Sequence, residues 1–463
     1  MDAGSESEGP VTAVETHPAH HGELEKALGL RGVLLLGLAY MAPIIVLGIF
    51  GVIAETSMGA SAGAYLLATV AMLFTASSYA KMAYHYPVSG SSYTYVRRSL
   101  DSRLGFLVGW TILLDYLFLP LVIWLIGAAY LNSEFPGVPN WIWIVGFIVI
   151  TSALNIIGLK VADKTNLVLM TFQILVLIFF VVFSVHYLVS SHGADALFST
   201  APFVGTGGFS AIAAGAAIAC YSFLGFDAVS TLTEETREPT KNIPRAIFGV
   251  ALLGGVIFLI VSYTVSLVAP GSTFPNADSL AADIAETIGG AAFAAIFIAG
   301  LIVGQFTSGL AAQAAVSRLL YAMGRDSVLP NRFFGFLSDR FHTPVLNIAL
   351  CGVIGLGALF LDVTTSTSFV NFGAFLAFTL VNVSVIAYWV RHRHTEQLSP
   401  VRYLVIAPIG AVIDIYLLTQ LDSKALILGC SWLTIGIVYL VVLTRGFRRP
   451  PPEMTTLEEE VGH

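Results

Sequence analysis

The sequence predicts an all-α polytopic membrane protein with twelve transmembrane helices, and three observations predict it. Of 463 residues, 56% are hydrophobic and only 11% are charged, less than half the ~25% typical of a soluble domain. Apolar runs of bilayer length recur along the chain, whereas the ~10-residue alternating segments of a membrane barrel do not. The basic residues fall almost entirely on one side of those runs. The same figures exclude a soluble enzyme, a disordered chain and a nucleic-acid binder, since a net charge of −7 offers no basic face to phosphate. The solvent implied is the lipid bilayer.

A crossing helix needs ~20 mostly apolar residues. In chain order the runs are 31–56, 61–84, 104–131, 141–158, 165–190, 209–233, 246–269, 288–312, 344–361, 368–390, 401–421 and 425–444. Arg97, Arg98 and Arg103 separate spans 2 and 3, and Lys160 and Lys164 separate spans 4 and 5. Arg237, Lys241 and Arg245 divide spans 6 and 7, Arg318 to Arg340 spans 8 and 9, and Arg391, Arg393 and Arg402 spans 10 and 11. The loops 132–140, 191–208 and 270–287 hold no lysine or arginine. With both termini cytoplasmic, only Lys424 of the 22 basic residues falls outside, as cytoplasmic retention of positive charge requires. That division supports twelve spans as well as the topology.

Residues 1–28, with Pro10, Pro18 and scattered His17, His20 and His21, read as a disordered cytoplasmic tail and not as a signal peptide or a metal site. Residues 447–463, with Pro450 to Pro452 and Glu458 to Glu460, read as a second tail. Cys220, Cys351 and Cys430 lie in apolar runs and read as small packing residues.

Two spans are interrupted. Span 1 reads Gly37-Leu38-Ala39-Tyr40-Met41-Ala42-Pro43-Ile44-Ile45, with proline at mid-depth, which predicts a break near 39–43. Span 6 reads Cys220-Tyr221-Ser222-Phe223-Leu224-Gly225-Phe226-Asp227, with glycine and a carboxylate at mid-depth. Either alone reads as a kink. As the first and sixth spans they occupy matching positions in two five-helix halves, the pattern of an inverted-repeat transporter whose site lies at the midplane. Unwound backbone at that depth is tolerated where it lines a cavity. The expected organisation is 29–190 as the first repeat, 191–395 as the second and 396–446 as two further helices.

Three stretches resemble the amino acid–polyamine–organocation (APC) superfamily. They are Tyr86-Pro87-Val88-Ser89-Gly90-Ser91-Ser92-Tyr93 with Gly105 to Trp110, Phe223 to Asp227 with Glu234-Glu235-Thr236 and Lys241 to Ala246, and Ser317 to Asp326 with Leu329-Pro330. Within it the chain is most similar to the putrescine importer branch, through Gly37 to Tyr40, Leu113 to Pro120 and Val370 to Ala374. The resemblance implies a five-plus-five inverted repeat plus two helices, and alternating access driven by an ion gradient, usually of protons. The chain shows no Ser/His/Asp set, metal-ligand spacing or phosphate loop, so no enzyme activity, metal or cofactor is expected.

A charge inside a bilayer costs at least ~2.5–3.5 kcal/mol, so each needs a reason. Asp115 lies about eleven residues into span 3, near mid-depth, and reads as counter-ion to an ammonium group or as a buried packing carboxylate. Asp227 follows the break in span 6. It reads as the cap of the second half-helix or as a proton-coupling carboxylate whose protonation changes with access state. Glu234 and Glu235 read as gating residues or as part of a solvated loop. Tyr40, Met41, Ala42, Pro43, Tyr116, Tyr221, Ser222, Phe223 and Gly225 flank the breaks or Asp115 and form the expected substrate site, where aromatic faces hold a cation at ~0.5–2 kcal/mol per contact. Trp110 reads as packing, and Thr307 and Ser308 are weak candidates for a cation site. Glu55 marks the outer mouth, and Asp362 and Asp414 are discounted, Asp414 as part of a peripheral span.

Many amino acid permeases of the superfamily have a glycine-rich run in span 1 whose bare N–H groups hold the substrate carboxylate. Here Ala42-Pro43-Ile44-Ile45-Val46 is bulkier and has one donor fewer, which favours a substrate that is only an amine. Gln173 stands where some proton-coupled members carry a lysine, so any coupling proton falls to a carboxylate. The expected function is proton-coupled import of putrescine or a related amine at the plasma membrane. An amino acid permease of the same fold is the alternative, and a ligand sensor without flux is a third reading.

Overall fold

The computed structural model describes residues 28–88, 91–158, 163–325 and 328–451. The greater part of both predicted tails, the Ser89-Gly90 pair, Lys160 and Asp326 lie outside the described residues. Among the described residues, eleven helical stretches are long and apolar enough to cross a membrane. Span 9 is the shorter apolar helix Val345–Leu359. Its eleven α-helical residues and four-residue 3-10 turn rise only ~24 Å, short of the ~30 Å hydrocarbon core.

Span 1 is broken as Pro43 demands. Its first part, Leu30–Met41, ends at Ala42, which takes the left-handed conformation (φ 45°, ψ 75°). The chain resumes as Ile45–Gly48 and, past a second irregularity at Ile49, as Phe50–Thr56. Span 6 runs Gly208–Ala219, tightens into the 3-10 turn Cys220–Phe223, extends through Leu224 and Gly225, and continues as Asp227–Leu232. That last piece is 3-10 and not α-helical. Ser230, Thr231 and Thr233 each donate a side-chain hydrogen bond to the carbonyl three residues earlier, which suits the tighter winding.

Span 8 differs from its predicted limits. A helix begins at Leu280 and runs to Arg325, but Gly290 breaks it with φ 72° and ψ 178°, a conformation open in practice to glycine alone. The spanning part therefore begins after Gly290 and extends well past residue 312. The 280–289 segment is a separate short helix between spans 7 and 8. Ser91–Ser99 lies likewise between spans 2 and 3.

The most extensive helix pairings are span 2 with span 7 and span 3 with span 8. Glycine makes both close. A β-carbon at Gly255 would strike Thr69, and one at Gly309 would lie 2.7 Å from the Trp124 indole nitrogen. Spans 2, 3, 6 and 10 are the most buried, and spans 4, 5, 11 and 12 the least. Span 5 presents Val168, Phe172, Leu175, Phe179 and Val182 outward at helical spacing, an apolar face suited to lipid. Trp110 packs as expected: it stacks on Trp432 of span 12 at 5.0 Å, and each indole donates to the other's backbone carbonyl. Cys220 and Cys351 are buried, whereas Cys430 faces outward.

Candidate transport site

The two breaks meet. Gly225, with φ 111°, lies so close to span 1 that a β-carbon on it would sit 2.9 Å from the Tyr40 carbonyl carbon and 3.1 Å from the Met41 nitrogen. Met41 is buried under Gly254 of span 7, and Pro43 is buried at the break. Tyr40 remains 46% exposed beside them. Of the backbone N–H groups between Ala42 and Leu47, those of Ala42, Ile45, Val46 and Leu47 all donate to nearby carbonyls. Proline has none, so Ile44 alone in that stretch retains a donor.

On the span 6 side, Asp227 turns its carboxylate back on the start of the segment that follows, where the Asp227 and Ala228 N–H groups reach it as well as that of Gly225. It is the first residue of the 3-10 segment, and its Oδ1 accepts the Gly225 N–H at 3.3 Å. The carboxylate thus holds the residue that touches Tyr40. Ser222 is fully buried with its hydroxyl 3.0 Å from the Tyr65 hydroxyl, and Phe223 is fully buried edge-on to Phe258. Asn371 of span 10 donates to the Ala217 carbonyl at 2.7 Å, which satisfies one of the acceptors freed where Gly208–Ala219 ends.

Asp115 faces this junction from span 3. Asp227 lies within electrostatic reach of Asp115, the Tyr116 phenol lies within reach of both carboxyls and of Tyr40, and the Tyr221 phenol lies within reach of Asp115. Asp115 is half-buried, yet its Oδ1 is fully buried with no hydrogen-bond partner among the described residues. Two carboxylates, three phenols and two unwound backbones thus share one region. The arrangement suits a desolvated organic cation, which brings the donor Asp115 lacks and finds aromatic faces beside it.

Other residues lie elsewhere. Glu234 and Glu235 stand beyond Leu232, where Leu28 donates to the Glu235 carbonyl and accepts from the Arg237 N–H, so the chain before span 1 is pinned to the loop after span 6. Thr307 spends its hydroxyl on the Val303 and Gly304 carbonyls of its own helix. Gln173 does face the junction of spans 1, 5 and 8: a β-carbon on Gly304 would lie 3.4 Å from its amide nitrogen and 4.0 Å from Ile44. Glu55 accepts from the Phe274 N–H, and Asp362 caps span 10 through the Thr365 N–H.

Asp414 requires a correction. Its place in span 11 reads as peripheral, yet it is fully buried and bonded to Thr75 of span 2 and Asn382 of span 10. An aspartate in an apolar run with Gly410 one turn before it was the available signal. The surrounding hydropathy hid it.

The amino acid permease family model matches residues 32–442. The low-affinity putrescine importer PlaP of Escherichia coli strain K12 is 38% identical over 435 residues, covering 93% of this chain and 96% of that protein. The methylthioribose transporter of Bacillus subtilis strain 168 is 26% identical, over 91% of this chain and 94% of its own length. The branched-chain amino acid permease BcaP of the same strain is 25% identical over the same shares.

Proposed function

The chain belongs to the amino acid permease family, and we propose that within it this protein imports putrescine or a related small organic amine, coupled to protons. The observation that carries the reading is Asp115: a buried carboxylate oxygen at mid-depth without a donor is matched by a substrate ammonium. The similarity to a putrescine importer over nearly the full length of both chains points the same way. So does the scarcity of bare N–H groups in the span 1 break, since a substrate α-carboxylate needs several donors and Ile44 offers one.

Coupling is assigned to Asp227. A proton on Asp227 weakens it as acceptor for the Gly225 N–H, and Gly225 is the residue pressed on Tyr40. Proton arrival therefore acts on the contact between the two breaks, the element that alternating access must rearrange. Glu234 and Glu235, near the pinned Leu28, are assigned to the inner gate. The distribution of basic residues supports a topology with both termini in the cytoplasm, and we assign the protein to the plasma membrane.

A second reading, amino acid import, has the likeness to BcaP in its favour. Thermal unfolding of the purified protein with a panel of amines and amino acids separates the two, because a bound ligand raises apparent stability by mass action. Stabilisation by putrescine and related diamines is expected. Stabilisation by neutral amino acids alone would transfer the reading to the alternative.

A further inference from the structure

Outside the central junction, one fully buried polar cluster joins spans 2, 10 and 11. Asp414 Oδ2 accepts from Thr75 Oγ1 and from Asn382 Nδ2, both at 2.9 Å, and Asn382 Nδ2 lies 3.2 Å from Thr75 Oγ1. All three residues are 0% exposed. Gly410 makes room: a β-carbon there would lie 2.8 Å from Asn382 Oδ1. Asp414 Oδ1 and Asn382 Oδ1 are both buried without a donor.

A buried carboxylate needs a cation, a donor or a proton. The groups facing Asp414 are Thr75 and the Tyr79 phenol of span 2, Asn382 of span 10 and the Cys220 thiol of span 6. No lysine, arginine or histidine among the described residues pairs with it. Two free oxygens are too few for a hard metal cation, which takes about six. A single proton fits.

The cluster also touches the transport machinery. Tyr79, one helical turn beyond Thr75, packs edge-on against Phe226 at 5.5 Å, and Phe226 lies between Gly225 and Asp227. Asp227 and Asp414 both lie within electrostatic reach of the Tyr79 phenol. A movement of the span 6 break thus reaches the Thr75 donor through one packed side chain.

We propose that Asp414, held by Thr75 and Asn382, is a second proton-binding site whose occupancy changes during the transport cycle. Its part in coupling rests on the proton-driven reading above. Its being a proton site does not.

Asp414→Asn tests both. Its amide oxygen takes over the two accepted hydrogen bonds and its NH2 supplies the missing donor, so it mimics the protonated form. Infrared spectra of the purified protein in proteoliposomes across a bulk pH series are expected to show a protonated-carboxyl C=O band in the native chain that is absent from Asp414→Asn. Thr75→Val, which removes one donor and no charge, is expected to shift that band, which identifies it even if Asp414→Asn fails to fold. With a gradient of one pH unit, one coupled proton supports about tenfold accumulation. Asp414→Asn is expected to lose that accumulation and to retain counterflow exchange. A native chain without the band, a band unchanged in Asp414→Asn, or native accumulation in that variant overturns the proposal. A native chain that ignores the pH gradient overturns the coupling reading instead, while the infrared band still decides whether Asp414 binds a proton.

Discussion

Gly225 is pressed against the Tyr40 carbonyl, with only 2.9 Å between a β-carbon placed on it and that carbonyl carbon. The contact joins the unwound parts of spans 1 and 6 backbone to backbone. A side chain there meets two obstacles, the occupied space and a φ of 111°. Gly225→Ala is expected to cost ~1–3 kcal/mol in conformational strain and to push the breaks apart. Uptake should fall about 5- to 150-fold, since each 1.4 kcal/mol is a factor of ten. Initial uptake rates with surface-expression controls measure it, and uptake at the native rate would show that the contact is incidental.

Asp115→Asn removes the charge and keeps the shape. Loss of a partner for a buried charge costs ~2–5 kcal/mol, so amine uptake should drop by about 30-fold or more with little change in thermal unfolding. If the variant transports normally, Asp115 belongs to packing.

For Asp227→Asn, exchange of substrate should persist while accumulation falls by the share of one coupled proton, about tenfold per unit of pH gradient, because the amide oxygen still accepts from Gly225 but no longer titrates. Paired counterflow and gradient-driven assays separate the two. Equal loss of both activities would make Asp227 a structural acceptor.

Asn371→Ala leaves the Ala217 carbonyl without its side-chain donor. A buried group orphaned in this way costs ~1–3 kcal/mol, so the midpoint of thermal unfolding should fall by several degrees and uptake with it. Asn371→Asp, which supplies no amide donor, should not rescue either. Recovery in the aspartate variant would remove Asn371 from the support of the break.

Trp432→Ala deletes one of the two reciprocal indole hydrogen bonds and the stack on Trp110. A loss of about 3 kcal/mol is expected on the scale of large-to-small substitutions, with transport preserved at low temperature because Trp432 bonds to Trp110 and packs on Phe118 of span 3, not on the residues of the two breaks. Loss of transport without loss of stability would give span 12 a functional role.

The spans were legible because bilayer crossing imposes length and apolarity together, and both breaks were legible because Pro43 and Gly225 have few other uses at mid-depth. Two features were not. The 3-10 winding after Asp227 depends on hydroxyl-to-carbonyl bonds from Ser230, Thr231 and Thr233, which an apolar-run reading does not weigh. The Gly290 break resembles any glycine in a small-residue stretch, since its positive φ leaves no trace in composition. Within the site, Asp115 and Asp227 were found by their charge. Asn371 gains meaning from a partner 154 residues away in sequence, and Asp414 from partners 32 and 339 residues away, and no local pattern encodes such distances.

Flux of labelled putrescine into proteoliposomes holding the purified protein, with and without an inward proton gradient, tests the central claim most directly. The account predicts saturable uptake that the gradient raises above equilibrium and that unlabelled diamines inhibit. Uptake that ignores putrescine and follows a neutral amino acid would contradict it.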